Sequence, residues 1–296
     1  MKKIKIVLLG KTGQIGSVLG KKLKKNNFIK CLSRKDLELS NLSSIGKKLD
    51  KLKPNILINA AAYTNVAGAE KNKKLCHKIN AASVKKIAQW SYKNNCFLLH
   101  YSTDYVFDGK NKRPWKENDK TNPINTYGKS KLEGEKFIIS SNCKYLILRI
   151  NWVYADKGEN FPKKIIEKIK KENEIYVVND QIGTPNHAEF ISDVTIRILK
   201  KIIKHPNTNP KILHLSARGY TTYYKIAKKI YKKLNNKYKK IKIAPISTNK
   251  LPGKMKRPLN SKLDISMLEK FLNFKSPNWE LIFFKKINRI IRNYDN

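Results

Sequence analysis

Residues 4–16 read I-K-I-V-L-L-G-K-T-G-Q-I-G, a short apolar run that ends in three glycines spaced three residues apart. A lysine-covered helical pattern follows the last glycine. A strand, a glycine turn and a helix in this order form the context in which such a motif binds a dinucleotide. Gly10 permits the tight turn, Gly13 lets backbone N–H groups approach a pyrophosphate, and Gly16 lets the helix pack close to the strand. We therefore predict a cofactor-binding turn at the first junction of strand and helix.

Apolar strand patterns alternate with helical patterns from this turn to the run Y-L-I-L-R-I at 145–150. The alternation predicts an α/β fold with a Rossmann-type doubly wound parallel sheet. Small or hydroxyl residues follow two further strands, at 60–64 and at 102–103. Because ligands bind beyond the carboxyl ends of such strands, we expect these segments to share one rim with the glycine turn.

The chain is long enough for two unequal domains. We expect residues 1–150 to form a dinucleotide-binding domain to which 188–220 return, and 151–296 to form mainly a smaller C-terminal α/β substrate-binding domain. In this second part a Pro-broken loop, L-P-G-K-M-K-R-P at 251–258, holds Arg257, a candidate diphosphate contact.

The second strand is followed by S-R-K-D-L-E at 33–38, where such folds read the adenosine ribose. An acidic residue there accepts the 2′-hydroxyl of NADH, and an arginine accommodates the 2′-phosphate of NADPH. Ser33 and Arg34 favour NADPH, whereas Asp36 and Glu38 leave NADH open.

The stretch 101–135 supplies the candidate chemistry. Thr103 ends a buried strand, and Tyr127 and Lys131 lie four residues apart on one face of a predicted helix. A tyrosine next to a lysine can donate a proton to a substrate carbonyl while a threonine hydroxyl binds the same oxygen. A tyrosine and a lysine at this spacing are usually a solvated surface pair. The glycine turn expected on the same rim favours a catalytic role for this pair.

Composition narrows the classes of function. The net charge is +42, but only eight of the 64 basic residues are arginine, and the lysines cover every predicted helix. Nucleic-acid readers favour arginine, so no nucleic-acid partner is expected. The four cysteines are widely spaced and are expected to be buried, reduced thiols. His187 and His214 lack partners at ligand spacing, so no metal site is predicted.

The N-terminal apolar run is too short for a signal segment, and no stretch approaches a membrane span, so we expect a cytoplasmic protein without a membrane partner.

The chain resembles the extended short-chain dehydrogenases/reductases and, among them, the dTDP-4-dehydrorhamnose reductase family. The resemblance extends over nearly the whole chain. It is carried by G-K-T-G-Q-I-G at 10–16, N-A-A-A-Y-T-N-V at 59–66, Y-S-T-D-Y-V-F-D-G at 101–109, Y-G-K-S-K-L-E-G-E at 127–135, R-I-N-W-V-Y at 149–154, D-Q-I-G-T-P at 180–185 and R-P-L-N-S-K-L-D at 257–264.

The resemblance implies that NADPH or NADH reduces the C4 keto group of dTDP-4-dehydro-L-rhamnose. Tyr127 would donate the proton, Thr103 would bind the reacting oxygen, and Lys131 would bind the nicotinamide ribose and lower the Tyr127 pKa. A homodimer is left open. The other implied cofactor contacts are Gly13, Gln14 and Ile15 at the pyrophosphate, Glu38 and Leu39 at the adenosine, and Ala62, Tyr63, Thr64 and Tyr101 elsewhere. The implied sugar-nucleotide contacts are Thr103, Asp104 and Trp152.

Three alternatives stay open at this point. A sugar-nucleotide epimerase of the same fold would show no net oxidation of its cofactor. A catalytically silent subunit, resembling the beta subunit of methionine adenosyltransferase, would bind NADP and a partner enzyme. Nucleic-acid binding through the lysines predicts tight and steeply salt-dependent binding to any duplex.

Overall fold

The computed structural model describes residues 4–24, 28–205, 210–234, 241–250 and 255–295, so the first half of the predicted loop at 251–258 lies outside the described residues. The first half of the chain alternates strands with helices as predicted. Its elements are β1 (Lys5–Leu9), α1 (Gln14–Lys24), β2 (Phe28–Leu32), α2 (Leu42–Leu52), β3 (Ile56–Asn59), α3 (Val66–Lys71), α4 (Lys73–His77), α5 (Ser83–Lys93), β4 (Phe97–Thr103), α6 (Thr126–Ile139) and β5 (Tyr145–Ile150).

The second half is less regular, with several two-residue strands. Its elements are β6 (Val153–Tyr154), α7 (Phe161–Lys171), β7 (Glu174–Val178), β8 (Ile182–Gly183), β9 (Asn186–His187), α8 (Ala188–Lys204), β10 (Ile212–His214), β11 (Thr221–Thr222), α9 (Tyr223–Leu234), β12 (Lys242–Ile246), α10 (Ser266–Leu272) and α11 (Trp279–Asp295).

Six strands form the central sheet in the order β2-β1-β3-β4-β5-β10, and all neighbouring pairs are parallel. The chain moves from β1 outward to β2 and then crosses back to β3 on the other side of β1. The reversal opens a crevice between the carboxyl ends of β1 and β3, the position at which doubly wound sheets bind ligands. The predicted fold class is confirmed.

Side chains alternate across β1 to fill a core on each face of the sheet. Ile6 and Leu8 join one buried apolar cluster, and Val7 and Leu9 join the other. This alternation is the two-residue period of a strand, and burial of each such side chain contributes roughly 1.5–3 kcal/mol. On the first face α1 packs against α8, and on the second α5 packs between α2 and α6.

Residues after 150 divide between the sheet and a smaller layer. Helix α8 packs on α1, and β10 extends the sheet beside β5. The smaller layer contains the parallel pair β7 and β12, against which α9 packs. The segment that follows Arg257 returns to the first half, where Leu263 bridges to Trp115.

All four cysteines are free thiols, and three of them are buried, namely Cys76, Cys96 and Cys143. Cys31 is only partly buried, contrary to the expectation for all four. It lies on β2, an edge strand of the six-stranded sheet.

Candidate active site

A cleft of about 1070 Å³ opens at the carboxyl ends of the strands. Every predicted site residue lines it except Gly16 and Tyr63. The turn after β1, the loops after β2, β3 and β5, and the start of α6 all contribute walls. The expectation that these segments converge on one rim agrees with this arrangement.

The glycine turn fits a closely approaching pyrophosphate. Gly10 has a φ of +89°, a conformation that side chains disfavour, and a Cβ there would lie 2.7 Å from the Ala60 carbonyl carbon. A Cβ at Gly16 would lie 2.1 Å from the Gly10 carbonyl oxygen. Gly16 therefore lets α1 pack closely against the turn and does not itself line the cleft. Backbone N–H groups at the start of α1 are thereby left open toward the cleft, as an anionic diphosphate requires.

The loop after β2 uses its two carboxylates differently. Asp36 does not line the cleft, because its carboxylate accepts the Ser33 N–H at 2.8 Å and the Ser33 hydroxyl at 2.6 Å. These bonds to Ser33 lower the pKa of Asp36. Arg34 lines the cleft, largely exposed, at 3.5 Å from Glu38. With Asp36 turned away, Ser33, Arg34 and Glu38 line the cleft where the ribose would be read, and the arginine suits a 2′-phosphate.

Helix α6 presents Tyr127 in its first turn. Asn125 caps the helix by accepting the Gly128 N–H at 2.8 Å, and Glu70 accepts both the N–H and the hydroxyl of Thr126 at 2.8 Å. These contacts fix the start of the helix over the end of β4, where Tyr127 meets Thr103. Burial raises the pKa of Tyr127, and its hydrogen bond with Thr103 offsets part of that rise. The phenol is therefore protonated at neutral pH, as a proton donor must be.

Lys131 is buried at 2% exposure, and its hydrogen-bond partners lie on β4. Its Nζ donates to the Tyr101 carbonyl oxygen at 2.6 Å and lies 3.0 Å from His100 Nε2. Burial lowers the pKa of Lys131 to about 8. The implied effect of Lys131 on the Tyr127 pKa stays a prediction. Burial raises the pKa of the phenol, and the Lys131 ammonium donates to the Tyr101 carbonyl oxygen.

The substrate side of the cleft combines a buried acid with a strained tryptophan. Burial raises the pKa of Asp104 to about 7, against hydrogen bonds with Ser261 and Thr103. Trp152 has a φ of +40° and stacks on Tyr223 with ring centroids 3.9 Å apart. Such backbone strain persists where the surrounding structure holds the residue in place. The indole packs so closely on Gly183 that a Cβ there would lie 2.5 Å from it. Arg257 lines the same region.

Tyr63 faces away from the cleft and packs in the second apolar cluster. Its backbone N–H donates to Asn80 Oδ1 at 2.8 Å, and Asn80 Nδ2 also donates to Ser130 at 3.0 Å. Asn80 lies in a π-helical turn, Lys78–Ala82, between α4 and α5. Sequence reasoning missed this residue, which ties the loop after β3 to helix α6.

Sequence reasoning also missed Asn59, His100 and Tyr223. The first two are fully buried polar residues inside strand patterns, a placement that signals a hydrogen-bond network. No pattern of the sequence marks Tyr223, which reaches the cleft by packing on Trp152.

Within the described ranges, no group of three or more His, Cys, Asp and Glu side chains could hold a metal ion. No helix of the described part of the chain has the length and apolar character needed to cross a membrane.

A Rossmann sheet with a glycine turn, and a Thr103–Tyr127 pair beside a buried lysine, define a dinucleotide-dependent dehydrogenase/reductase of the short-chain class.

Comparison with known proteins places the chain within that class. The family model described as the RmlD substrate binding domain matches residues 4–293, and the chain belongs to this family. The chain is 36% identical to dTDP-4-dehydrorhamnose reductase of Salmonella typhimurium strain LT2, over 93% of this chain and 94% of that protein. It is 33% identical to the reductase of Escherichia coli K12, over 96% and 97% of the two chains. The crystal structure of dTDP-4-dehydrorhamnose reductase from Bacillus anthracis strain Ames in complex with NADP has a TM-score of 0.86 at 32% identity, covering 98% and 99% of the two chains. The family resemblance drawn from the sequence is confirmed.

Proposed function

We propose that the chain reduces the C4 keto group of dTDP-4-dehydro-β-L-rhamnose to give dTDP-L-rhamnose, the last step of dTDP-rhamnose synthesis, with NADPH as the reductant. The observation that carries the proposal is the protonated Tyr127 beside Thr103, at the end of the strand that faces the glycine turn across one cleft. NADPH, when bound, supplies the hydride.

Tyr127 donates its phenol proton to the C4 oxygen as that oxygen gains negative charge. Thr103 holds the same oxygen with its hydroxyl, and the Tyr105 N–H keeps the Thr103 oxygen in place at 3.2 Å. Thr103 is 5% exposed. In this water-excluded environment a hydrogen bond to a developing alkoxide is stronger than in water. Lys131 would bind the nicotinamide ribose.

The remaining contacts divide along the cleft. Gly13, Gln14 and Ile15 would hold the pyrophosphate of the cofactor, and Arg34 its 2′-phosphate. Trp152 and Asp104 would contact the sugar, and Arg257 the substrate diphosphate. This use of residues on both sides of position 150 supports the division into a cofactor domain and a substrate domain, which we retain as a proposal.

Tyr127→Phe tests the role of the proton donor. Turnover, followed by the loss of reduced-cofactor absorbance, should fall by roughly 10²-fold or more, because general acid catalysis is of that size. The affinity for NADPH should change little. Tyr92→Phe is a matched control, since Tyr92 is 59% exposed on α5.

Unchanged turnover in Tyr127→Phe would contradict the proposal. Conversion of the sugar nucleotide without net cofactor oxidation would indicate an epimerase. No turnover by a folded, NADPH-bound chain would favour the silent subunit.

We also propose a cytoplasmic location, where free thiols stay reduced. The homodimer is a proposal that sedimentation of the purified chain tests directly.

A further inference from the structure

One buried asparagine contacts both the helix of the proton donor and the segment that holds Arg257. Asn125 is 4% exposed and directly precedes α6. Its Oδ1 accepts the Gly128 N–H at 2.8 Å, and its Nδ2 donates to the Lys256 carbonyl oxygen at 3.0 Å. Asn125 does not itself line the cleft, so it can act on a ligand only through these two partners.

The contact with Gly128 fixes the position of Tyr127. With Asn125 as the N-cap, Tyr127 lies in the first turn of α6. Gly128 lets this turn lie against the backbone of Tyr105, since a Cβ on Gly128 would be 2.2 Å from the Tyr105 carbonyl oxygen. The rings of Tyr105 and Tyr127 meet edge to face, with centroids 5.6 Å apart. The cap therefore holds the phenol in a defined place at the end of β4.

The contact with Lys256 fixes the backbone immediately before Arg257. On the other side of Arg257, the Asn260 N–H donates to the Gly109 carbonyl oxygen at 3.1 Å, and a Cβ on Gly109 would lie 2.6 Å from Pro258 Cα. Arg257 is thus held between two anchored points, and it lines the cleft. Loss of the Asn125 contact would leave the second anchor in place.

The Arg257 guanidinium acts on the same part of the cleft as the proton donor. Burial raises the pKa of Tyr105 to about 12, and the positive charge of Arg257 opposes that rise. Since the Tyr105 ring packs on Tyr127, the cation and the phenol lie on two sides of one aromatic ring. Asn125 joins the backbones that carry these two groups.

The substrate of the proposed reaction must reach both groups at once. Its diphosphate is attached at C1 and its keto group is at C4, on opposite sides of a six-membered ring. The C4 oxygen has to meet Tyr127 while the diphosphate meets Arg257, so the separation of these two side chains must match the ring. Reaction rates depend steeply on such placement.

We propose that Asn125 is a positioning residue that holds Arg257 at a fixed place relative to Tyr127, so that a diphosphate bound at Arg257 brings the keto carbon against the phenol. Oδ1 supplies the cap on α6, and Nδ2 supplies the link to the Arg257 segment. The inference rests on the proposed function, which assigns the diphosphate to Arg257 and the C4 oxygen to Tyr127.

Two substitutions remove the link and keep the cap. Asn125→Ser and Asn125→Asp both retain an oxygen that can accept the Gly128 N–H, and Ser, Asp and Asn are similarly good N-caps. Neither has the amide N–H that donates to Lys256. One variant is neutral and the other is charged, so an effect that both share follows from the lost donor. The midpoint of thermal unfolding should fall by roughly 2–4 °C, the size expected of one lost hydrogen bond.

Calorimetric titration with dTDP measures the diphosphate contact without the reaction. Both variants should bind dTDP roughly three- to tenfold more weakly, the effect of one lost hydrogen bond, and should bind NADPH as the wild type does. The kcat/KM for dTDP-4-dehydro-L-rhamnose should fall further, by roughly 10²-fold, because a small misplacement of the reacting group costs about that much.

A double-mutant cycle with Arg257→Ala separates positioning from a general structural effect. Arg257→Ala alone should weaken dTDP binding roughly tenfold or more, because it removes a charge-assisted contact. In that background Asn125→Ser should weaken dTDP binding by less than about twofold, since its effect passes through Arg257.

Asn278→Asp is the matched control. Asn278 accepts the Glu280 N–H at 2.9 Å at the start of α11, and it does not line the cleft. The change replaces one helix-capping asparagine by an aspartate, as Asn125→Asp does, so dTDP affinity and kcat/KM should stay at the wild-type values.

Wild-type affinity for dTDP in Arg257→Ala would overturn the proposal, and this result needs no Asn125 variant to fold. Equal losses from Asn125→Ser in both backgrounds would also overturn it, and so would a fall in kcat/KM no larger than the fall in dTDP affinity. A wild-type chain that binds dTDP and NADPH but does not reduce the sugar nucleotide would count against the proposed function instead.

Discussion

Gly16→Ala should damage the cofactor turn, and the structure sets the size of the effect. The new Cβ would lie 2.1 Å from the Gly10 carbonyl oxygen, where real Cβ contacts are essentially never shorter than 3.0 Å. The turn must therefore move by 3.0 − 2.1, or about 0.9 Å. Gly10 O also accepts the Gly13 N–H at 2.9 Å, a bond that the movement strains. Overpacking costs about 1–3 kcal/mol and the lost bond about 1 kcal/mol, against a helix-propensity gain of about 1 kcal/mol.

The net loss is then about 1–3 kcal/mol in the free energy of unfolding, which urea denaturation measures. Gly46→Ala in α2 is the matched control, because a Cβ there meets nothing within 4 Å and should stabilise by about 0.4–1 kcal/mol. Titration with NADPH should show roughly tenfold weaker binding for Gly16→Ala, the effect of losing about 1.4 kcal/mol of backbone contact to the pyrophosphate. The reasoning is refuted if Gly16→Ala matches Gly46→Ala in stability, or if it binds NADPH with wild-type affinity.

Three further changes have definite expected outcomes. Arg34→Ala should raise the KM for NADPH roughly tenfold and leave that for NADH nearly unchanged, since it removes a charge-assisted contact to the 2′-phosphate; equal effects on both cofactors would contradict this. Arg149→Leu should cost about 3–5 kcal/mol in urea unfolding, because Glu135 at 0% exposure loses the guanidinium 2.7 Å away; a loss below about 1 kcal/mol would rule it out. Asp104 has a folded pKa of about 7, above the ~3.9 of an unfolded aspartate. The folded state therefore loses stability relative to the unfolded state as pH rises between these two values, because the buried carboxyl holds its proton more tightly. Asp104→Asn should therefore gain roughly 2–4 kcal/mol relative to wild type on going from pH 4 to pH 8, and a pH-independent difference would argue against the raised pKa.

The fold and the rim of the cleft follow from local sequence patterns. Three of these patterns involve only residues that are close in sequence: the strand periodicity, the glycines at 10–16 and the small residues after β3. The positions of these segments could therefore be predicted. The topology then brought them together without knowledge of any single contact.

The direction of each polar side chain did not follow from those patterns. Lys131 was expected to face Tyr127 because the two residues share a helix face, yet its partners lie 30 and 31 residues away, at Tyr101 and His100. Asp36 was weighed as a ribose contact, and a hydroxyl three residues earlier captures it instead. The partner of a polar side chain depends on which hydrogen-bonding groups the folded chain brings next to it. A sequence pattern does not contain this information.

The contrast between Lys131 and the other lysines shows how burial decides what this residue type does. With a net charge of +42, the chain attracts an anionic cofactor and an anionic sugar nucleotide, but ions screen exposed charges beyond about 8 Å at physiological ionic strength. The surface lysines therefore act on the rate of encounter and lose influence as salt rises. Lys131 is 2% exposed, so solvent screens it little, and burial lowers its pKa to about 8. Added salt should then weaken the encounter with the anionic ligands without changing the protonation of Lys131, because that protonation depends on contacts inside the sheet.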